Sequence, residues 1–199
     1  MATEILNDAL FYDRYEIIGG EKFIMAAAAP NITHGIIVSR LTTIFNYYID
    51  EKNLNAFVLA DNADVYLSAE DHFRPDVSVI NRKPDISRKE RFIAEAPDLI
   101  VEVLSESTAK NDFGRKKDAY EKYGVREYWI VNPKDRSIFV YHLIEGRFTL
   151  DNVYQIYSAD ELECLTERER SELTYNIKVS IFDDLIVDIR NVFKWWLDE

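Results

Sequence analysis

The chain has 199 residues, 47% hydrophobic and 30% charged, which suits one compact soluble domain over 1–199 and argues against disorder. Its single cysteine, Cys164, excludes an intramolecular disulfide and a cysteine-cluster zinc site. A net charge of −12 excludes a protein that grips nucleic acid with its whole surface, because that binding is driven by phosphate neutralisation.

The charge is uneven. Residues 81–122 carry 10 Lys+Arg against 9 Asp+Glu, while the remainder carries 14 against 27. A polyanion would therefore meet the middle of the chain, with divalent metal offsetting the carboxylates there. Apolar runs stop short of the ~18–20 residues that span a bilayer, so no membrane contact is expected. No basic segment followed by an apolar stretch opens the chain, and the expected compartment is the cytoplasm.

Taken in order, residues 10–29 read as two short strands turning at Gly19-Gly20. Asn31 or Thr33 caps a helix running to about residue 50, with Ile37, Leu41, Ile44, Phe45 and Tyr48 at helical spacing. Strands follow at 56–60, 63–67 and 75–80, then a polar connection, partly helical, over 81–96. The most apolar strand, 98–105, is expected at the sheet centre. Ser107 or Thr108 begins a helix that Gly124 closes. A hairpin of 127–131 with 137–143 leads to a strand in 145–157 and an acidic, solvated stretch over 159–172. Short strands at 177–182 and 185–187 precede a closing helix, with Trp195 and Trp196 as core or subunit contacts. Strands alternating with a few helices imply an α/β or α+β fold with a mixed sheet.

Glu102 is the anomaly in this pattern. It interrupts Leu99-Ile100-Val101-Glu102-Val103-Leu104, where a sheet interior favours apolar side chains. An unpaired buried carboxylate costs several kcal/mol, so Glu102 needs a cation or a metal. On the following helix, Ala119, Asp112, Tyr123, Lys116, Tyr120 and Phe113 fall within an arc of roughly 120°, with Lys116 near its middle. An inward lysine either covers apolar surface with its stem or has an acidic partner. Asp76, after Pro75 at a strand start, is by itself compatible with a turn residue. Together, two carboxylates on neighbouring strands suit Mg²⁺ or Mn²⁺, and an adjacent ammonium can orient water or stabilise phosphorane-like charge. A buried Glu102–Lys116 ion pair would satisfy the same residues structurally.

The succession Arg74-Pro75-Asp76, then Val101-Glu102-Val103-Leu104-Ser105, then Asp112-x3-Lys116-x3-Tyr120, then Glu127-Tyr128-Trp129-Ile130-Val131-Asn132-Pro133 resembles the Uma-type restriction endonuclease family of the PD-(D/E)XK nuclease superfamily. The resemblance extends over most of the chain. It implies a restriction-endonuclease-like mixed sheet flanked by helices and a metal-dependent DNA endonuclease. It further implies that Asp76 and Glu102 hold Mg²⁺ or Mn²⁺, with the Val103 carbonyl as a further ligand and Lys116 assisting hydrolysis. The superfamily lysine would fall at 104, where this chain has Leu104, so the resemblance moves the lysine onto the helix. Glu21 matches an acid near the family's N-terminal hairpin and is a candidate third carboxylate; a solvent-facing strand position is the alternative. His34, Arg115 and Lys117 are candidate substrate contacts. Cleavage of both strands suggests a homodimer. The competing function is a non-catalytic module of the same fold that binds a protein partner.

Overall fold

The computed structural model describes residues 15–24, 32–60, 63–82, 92–105 and 108–194. The chain opens with the hairpin β1 (Tyr15–Ile18) and β2 (Glu21–Ile24), turned by Gly19 and Gly20 at φ +59° and +79°. Helix α1 (Ile32–Glu51) buries Ile37, Val38, Leu41, Phe45, Tyr48 and Ile49, the stripe that its i, i+4 spacing dictates. Strands β3 (Phe57–Ala60), β4 (Asp64–Tyr66), β5 (His72–Phe73), β6 (Val77–Ile80), β7 (Phe92–Ile93) and β8 (Leu99–Val103) follow. Helices α2 (Ala109–Phe113) and α3 (Arg115–Lys122) lead to β9 (Glu127–Asn132), β10 (Ser137–Ile144) and β11 (Arg147–Gln155). The last elements are α4 (Ala159–Cys164), α5 (Glu167–Glu172), β12 (Asn176–Lys178), β13 (Ile186–Asp188) and α6 (Ile189–Val192).

The expected mixed sheet is present, but the strands divide. Six form a sheet ordered β11-β10-β9-β8-β6-β3, five form a second ordered β2-β1-β5-β4-β7, and β12 pairs β13. Strand β8 is central and wholly buried, antiparallel to β6 and parallel to β9. Its odd residues Leu99, Val101 and Val103 join the core under α1; Ile100 lies in the second core, beside Tyr120 and Tyr128. Ile18 and Phe73 of the smaller sheet pack into that second core together with Ala119 and Tyr120 of α3. Helix α3 therefore has a sheet on each side, which is why a lysine on it is inaccessible to solvent.

Three expectations change. The two-residue strands β5 and β7 lie where a loop and a polar connection are expected; both are too short to show periodicity. The helix expected from 108 to 123 breaks at Gly114, so α2 and α3 do not share one helical wheel. Phe113, assigned to the inward arc, is consequently 40% exposed. Gly114 lies so close to α2 that a Cβ there would stand 2.9 Å from the Lys110 carbonyl oxygen. Gly114→Ala should lower stability by about 1–3 kcal/mol, read as a shift in denaturation midpoint, because one helix must move away from the other. The candidate caps Asn31 and Ser107, most of the 81–96 connection and Trp195 and Trp196 lie outside the described residues.

A second buried acid ties the C-terminal segment to the main sheet. Glu127, at 0% exposure, accepts hydrogen bonds from Trp129 Nε1 (2.7 Å), Ser180 N (2.6 Å) and Ser180 Oγ (2.5 Å). His142 Nε2 lies 3.8 Å from Glu127, and this carboxylate raises the His142 pKa more than partial burial lowers it. A raised folded-state pKa gives stability that is complete below the unfolded value and lost as pH rises through the folded one. Wild type should therefore lose stability from about pH 6.5 upward relative to His142→Gln, which denaturant titration at several pH values measures.

Candidate active site

The site is built on the end of β8 and the helix that follows it. Side chains alternate between the two cores along the wholly buried β8, so Glu102 shares its face with Ile100 and is turned towards α3. Helix α3 answers with Lys116 and, one turn on, Tyr120. Lys116 Nζ stands 3.1 Å from Glu102 Oε1, 2.9 Å from Glu16 Oε1 and 3.5 Å from Asp112 Oδ1. Tyr120 OH donates to the same Glu102 oxygen at 2.7 Å, and Glu16 Oε1 also accepts from Arg74 N at 3.0 Å. Glu16, Glu102, Asp112 and Lys116 are each at most 4% exposed.

One ammonium thus faces three carboxylates. Burial pushes the Glu102 carboxyl well above the ordinary carboxylate range; Lys116 opposes this, while the charges of Asp112, Asp76 and Glu16 reinforce it. Asp112 is raised for the same reason, burial outweighing Lys116, and its Oδ1 has no hydrogen-bond partner. Burial works against the Lys116 ammonium, yet Glu102, Glu16 and Asp112 together hold its pKa well above the usual lysine value. Lys116 is accordingly a fixed cation, unsuited to act as a general base near neutral pH. Burial also raises Tyr120 and Tyr128 well above the phenolic range, leaving them neutral donors, to Glu102 and to the Asp112 carbonyl at 2.9 Å respectively.

Asp76 sits one residue before β6. Since Val77 pairs with Val101, the register brings Asp76 opposite Glu102. Its Oδ2 accepts from Val103 N at 2.6 Å, standing in for the next ladder acceptor where β6 has not yet begun. Its Oδ1 lies 3.4 Å from His34 Nε2, at the first turn of α1.

The candidates therefore divide. Asp76, Glu102, Val103, Lys116 and His34 gather at one end of β8. Glu21 does not join them: it is exposed, its Oε2 2.5 Å from Arg115 Nη1, while Arg115 also lies over the Phe23 ring. The hairpin carboxylate that reaches Lys116 is Glu16. The signal for it was alternation, since Glu16 and Ile18 share the buried face of β1, but apolar Ile17 on the other face masks the period. Of the other residues on the inward arc, Asp112 partners Lys116 and Tyr120 partners Glu102. Lys117 turns outward, its Nζ 4.9 Å from the centre of the Tyr141 ring.

A hard divalent cation suits the donor chemistry, which is all oxygen with an excess of negative charge. Among the described residues no three His, Cys, Asp or Glu side chains form a ready-made metal cluster. Mg²⁺ commonly keeps several waters and takes one or two carboxylates together with substrate phosphate. Asp76 and Glu102 are the pair that would supply them.

Residues 12–171 match the model of the Uma2 family, whose description reads "Putative restriction endonuclease". Two uncharacterized proteins of Synechocystis sp. are each 29% identical, over 155 and 138 residues, covering 76% and 65% of this chain and 76% of each relative. The fold is similar to a crystal structure from Anabaena variabilis described as "a putative nuclease belonging to DUF820". The TM-score is 0.69 at 18% identity, over 96% of this chain and 97% of that one, a likeness of fold alone. Among the described residues, no helix is long and apolar enough to cross a membrane. With the family model spanning most of its length, the chain belongs to the Uma2 family.

Proposed function

We propose that the protein is a divalent-metal-dependent endonuclease that hydrolyses phosphodiester bonds in DNA. The observation that carries this reading is the convergence of Asp76, Glu102 and Lys116, remote in sequence, on one end of β8. In it, Asp76 and Glu102 hold Mg²⁺ or Mn²⁺, with the Val103 carbonyl as a further candidate ligand. Such an ion lowers the pKa of a bound water and offsets charge on the phosphoryl oxygens. Lys116, charged at all working pH values, contributes fixed positive potential where phosphorane charge develops. Glu16 and Tyr120 orient Lys116 and Glu102. In this reading His34, 3.4 Å from Asp76, contacts the substrate. A homodimer would supply one site for each strand of a duplex.

One observation favours the second reading, a non-catalytic module. Lys116 is 3% exposed and already engaged by three carboxylates, the signature of a structural ion network. Two measurements separate the readings. Plasmid DNA incubated with the protein should be cut with Mg²⁺ or Mn²⁺ and left intact with EDTA. Calorimetric titration with Mn²⁺ should give saturable heat for wild type and about tenfold weaker binding for Glu102→Gln. No cutting, with identical heats for both proteins, would leave only the structural network.

A further inference from the structure

Helices α2 and α3 turn Asp112, Lys116 and Tyr120 inward; Lys110, Phe113 and Lys117 lie on the outer flank of the same pair. Phe113 is 40% exposed and stands edge-on to Phe139, with centroids 5.2 Å apart and planes at 90°. Lys117 lies over Tyr141, which stacks on Tyr128, and Phe148 continues the aromatic surface. Phe139 and Tyr141 pair across β10–β11 with Val153 and Leu150, which are 37% and 45% exposed. This end of the sheet face is thus only partly covered.

Two cations of this flank have no carboxylate within salt-bridge distance among the described residues. Arg115 is held by Glu21 and Lys122 by Asp71, but Lys110 and Lys117 form no salt bridge to a carboxylate among the described residues. Glu121 feels the Lys117 charge, yet its oxygens are taken by Arg147 Nη1 at 2.8 Å and Phe148 N at 2.6 Å. Asp118 lies on the opposite flank, in the cleft lined by Ile18, Glu21 and Asp71. Two lysines without a salt bridge among the described residues, three residues before and four after an exposed phenyl ring, complement a polyanion that also offers flat apolar faces. Bases present those faces only when they are not stacked within a duplex. Two lysines also provide too few phosphate contacts to hold a duplex by charge alone.

We propose that this flank binds an unpaired stretch of the nucleic-acid substrate, Lys110 and Lys117 meeting phosphates while Phe113 stacks on a base. This rests on the nuclease reading and narrows its substrate to DNA with a single-stranded segment beside the scissile bond. The helix pair would then couple binding to chemistry, holding the strand on one face and the charged site on the other.

The test uses a fluorescein-labelled oligothymidine and a duplex of equal length, with binding read by anisotropy in Ca²⁺ buffer. Wild type should bind the single strand more tightly than the duplex. Phe113→Ala should weaken single-strand binding by about tenfold and leave duplex binding unchanged. Lys110→Gln with Lys117→Gln should flatten the slope of log K against log salt by about 1.4. Lys110 and Phe113 are exposed and Lys117 is half-buried, and circular dichroism checks that the variants fold. If wild type cuts DNA but Phe113→Ala binds the single strand as wild type does, this inference fails and the nuclease reading stands. The same holds if Phe113→Ala changes only the sedimenting oligomer, since the flank is then a protein contact. If wild type neither binds nor cuts either probe, the nuclease reading fails and takes this inference with it.

Discussion

Lys116→Met should cost about 3–5 kcal/mol of folding stability, enough to lower the thermal midpoint by many degrees or prevent folding. Methionine fills much the same volume, so the loss is electrostatic. It strands Glu16, Glu102 and Asp112 in a site where each is at most 4% exposed and none can recover its hydration. Removing one partner of a buried network costs far more than the network contributes as a whole, because the remaining charges keep their desolvation penalty. Adding Glu16→Gln to Lys116→Met should therefore return stability, with a coupling of about 1–3 kcal/mol in the double-mutant cycle. Glu16→Gln alone should destabilise only mildly, since the amide oxygen can still accept from Arg74 N and Lys116. A Lys116→Met protein as stable as wild type would mean that the three acids are already protonated and that the lysine charge has no partner to lose.

The parts of this fold that could be read from the sequence are those where burial imposes a period. Helix α1 follows from Ile37, Leu41, Phe45 and Tyr48, and the central place of β8 follows from an apolar run with a single acid. Glu102 and Lys116 stood out for the same reason: a charge where the period demands an apolar side chain needs a partner. Glu16 gave no such signal. In a four-residue strand with isoleucine on both faces, alternation cannot say which side is buried. What buries Glu16 is β5, a two-residue strand that brings Arg74 N to its carboxylate, and nothing local encodes that contact. Gly114 shows the same limit of local reading. A glycine within a helical pattern is usually tolerated, but Gly114 leaves helical geometry at φ −114° and ψ −105°, its N–H turning to Asn111 O, where a Cβ would meet Lys110 O. Glu21 is a candidate only through its match to an acid near the family's N-terminal hairpin, and the β1–β2 register sets it opposite Ile18 on the sheet edge, within reach of Arg115.

Asp76→Asn should abolish metal-dependent DNA cleavage, by ~10³-fold or more, while leaving stability within about 1 kcal/mol of wild type. The two halves of this expectation come from different oxygens. Oδ2 is structural: it accepts from Val103 N, and an asparagine carbonyl oxygen can take the same bond. Oδ1 instead faces His34 Nε2 at 3.4 Å, on a side chain that is 15% exposed. In asparagine an amide nitrogen replaces it, which cannot ligate a cation and directs a donor at the histidine. Asp76→Ala would remove both oxygens and confuse loss of the strand cap with loss of a ligand, so asparagine is the informative change. A folded Asp76→Asn protein that still cuts DNA at the wild-type rate would confine Asp76 to capping β8. The metal would then have to be held by Glu102 and the acids around Lys116, which requires the lysine to move out of a pocket flanked by two sheets.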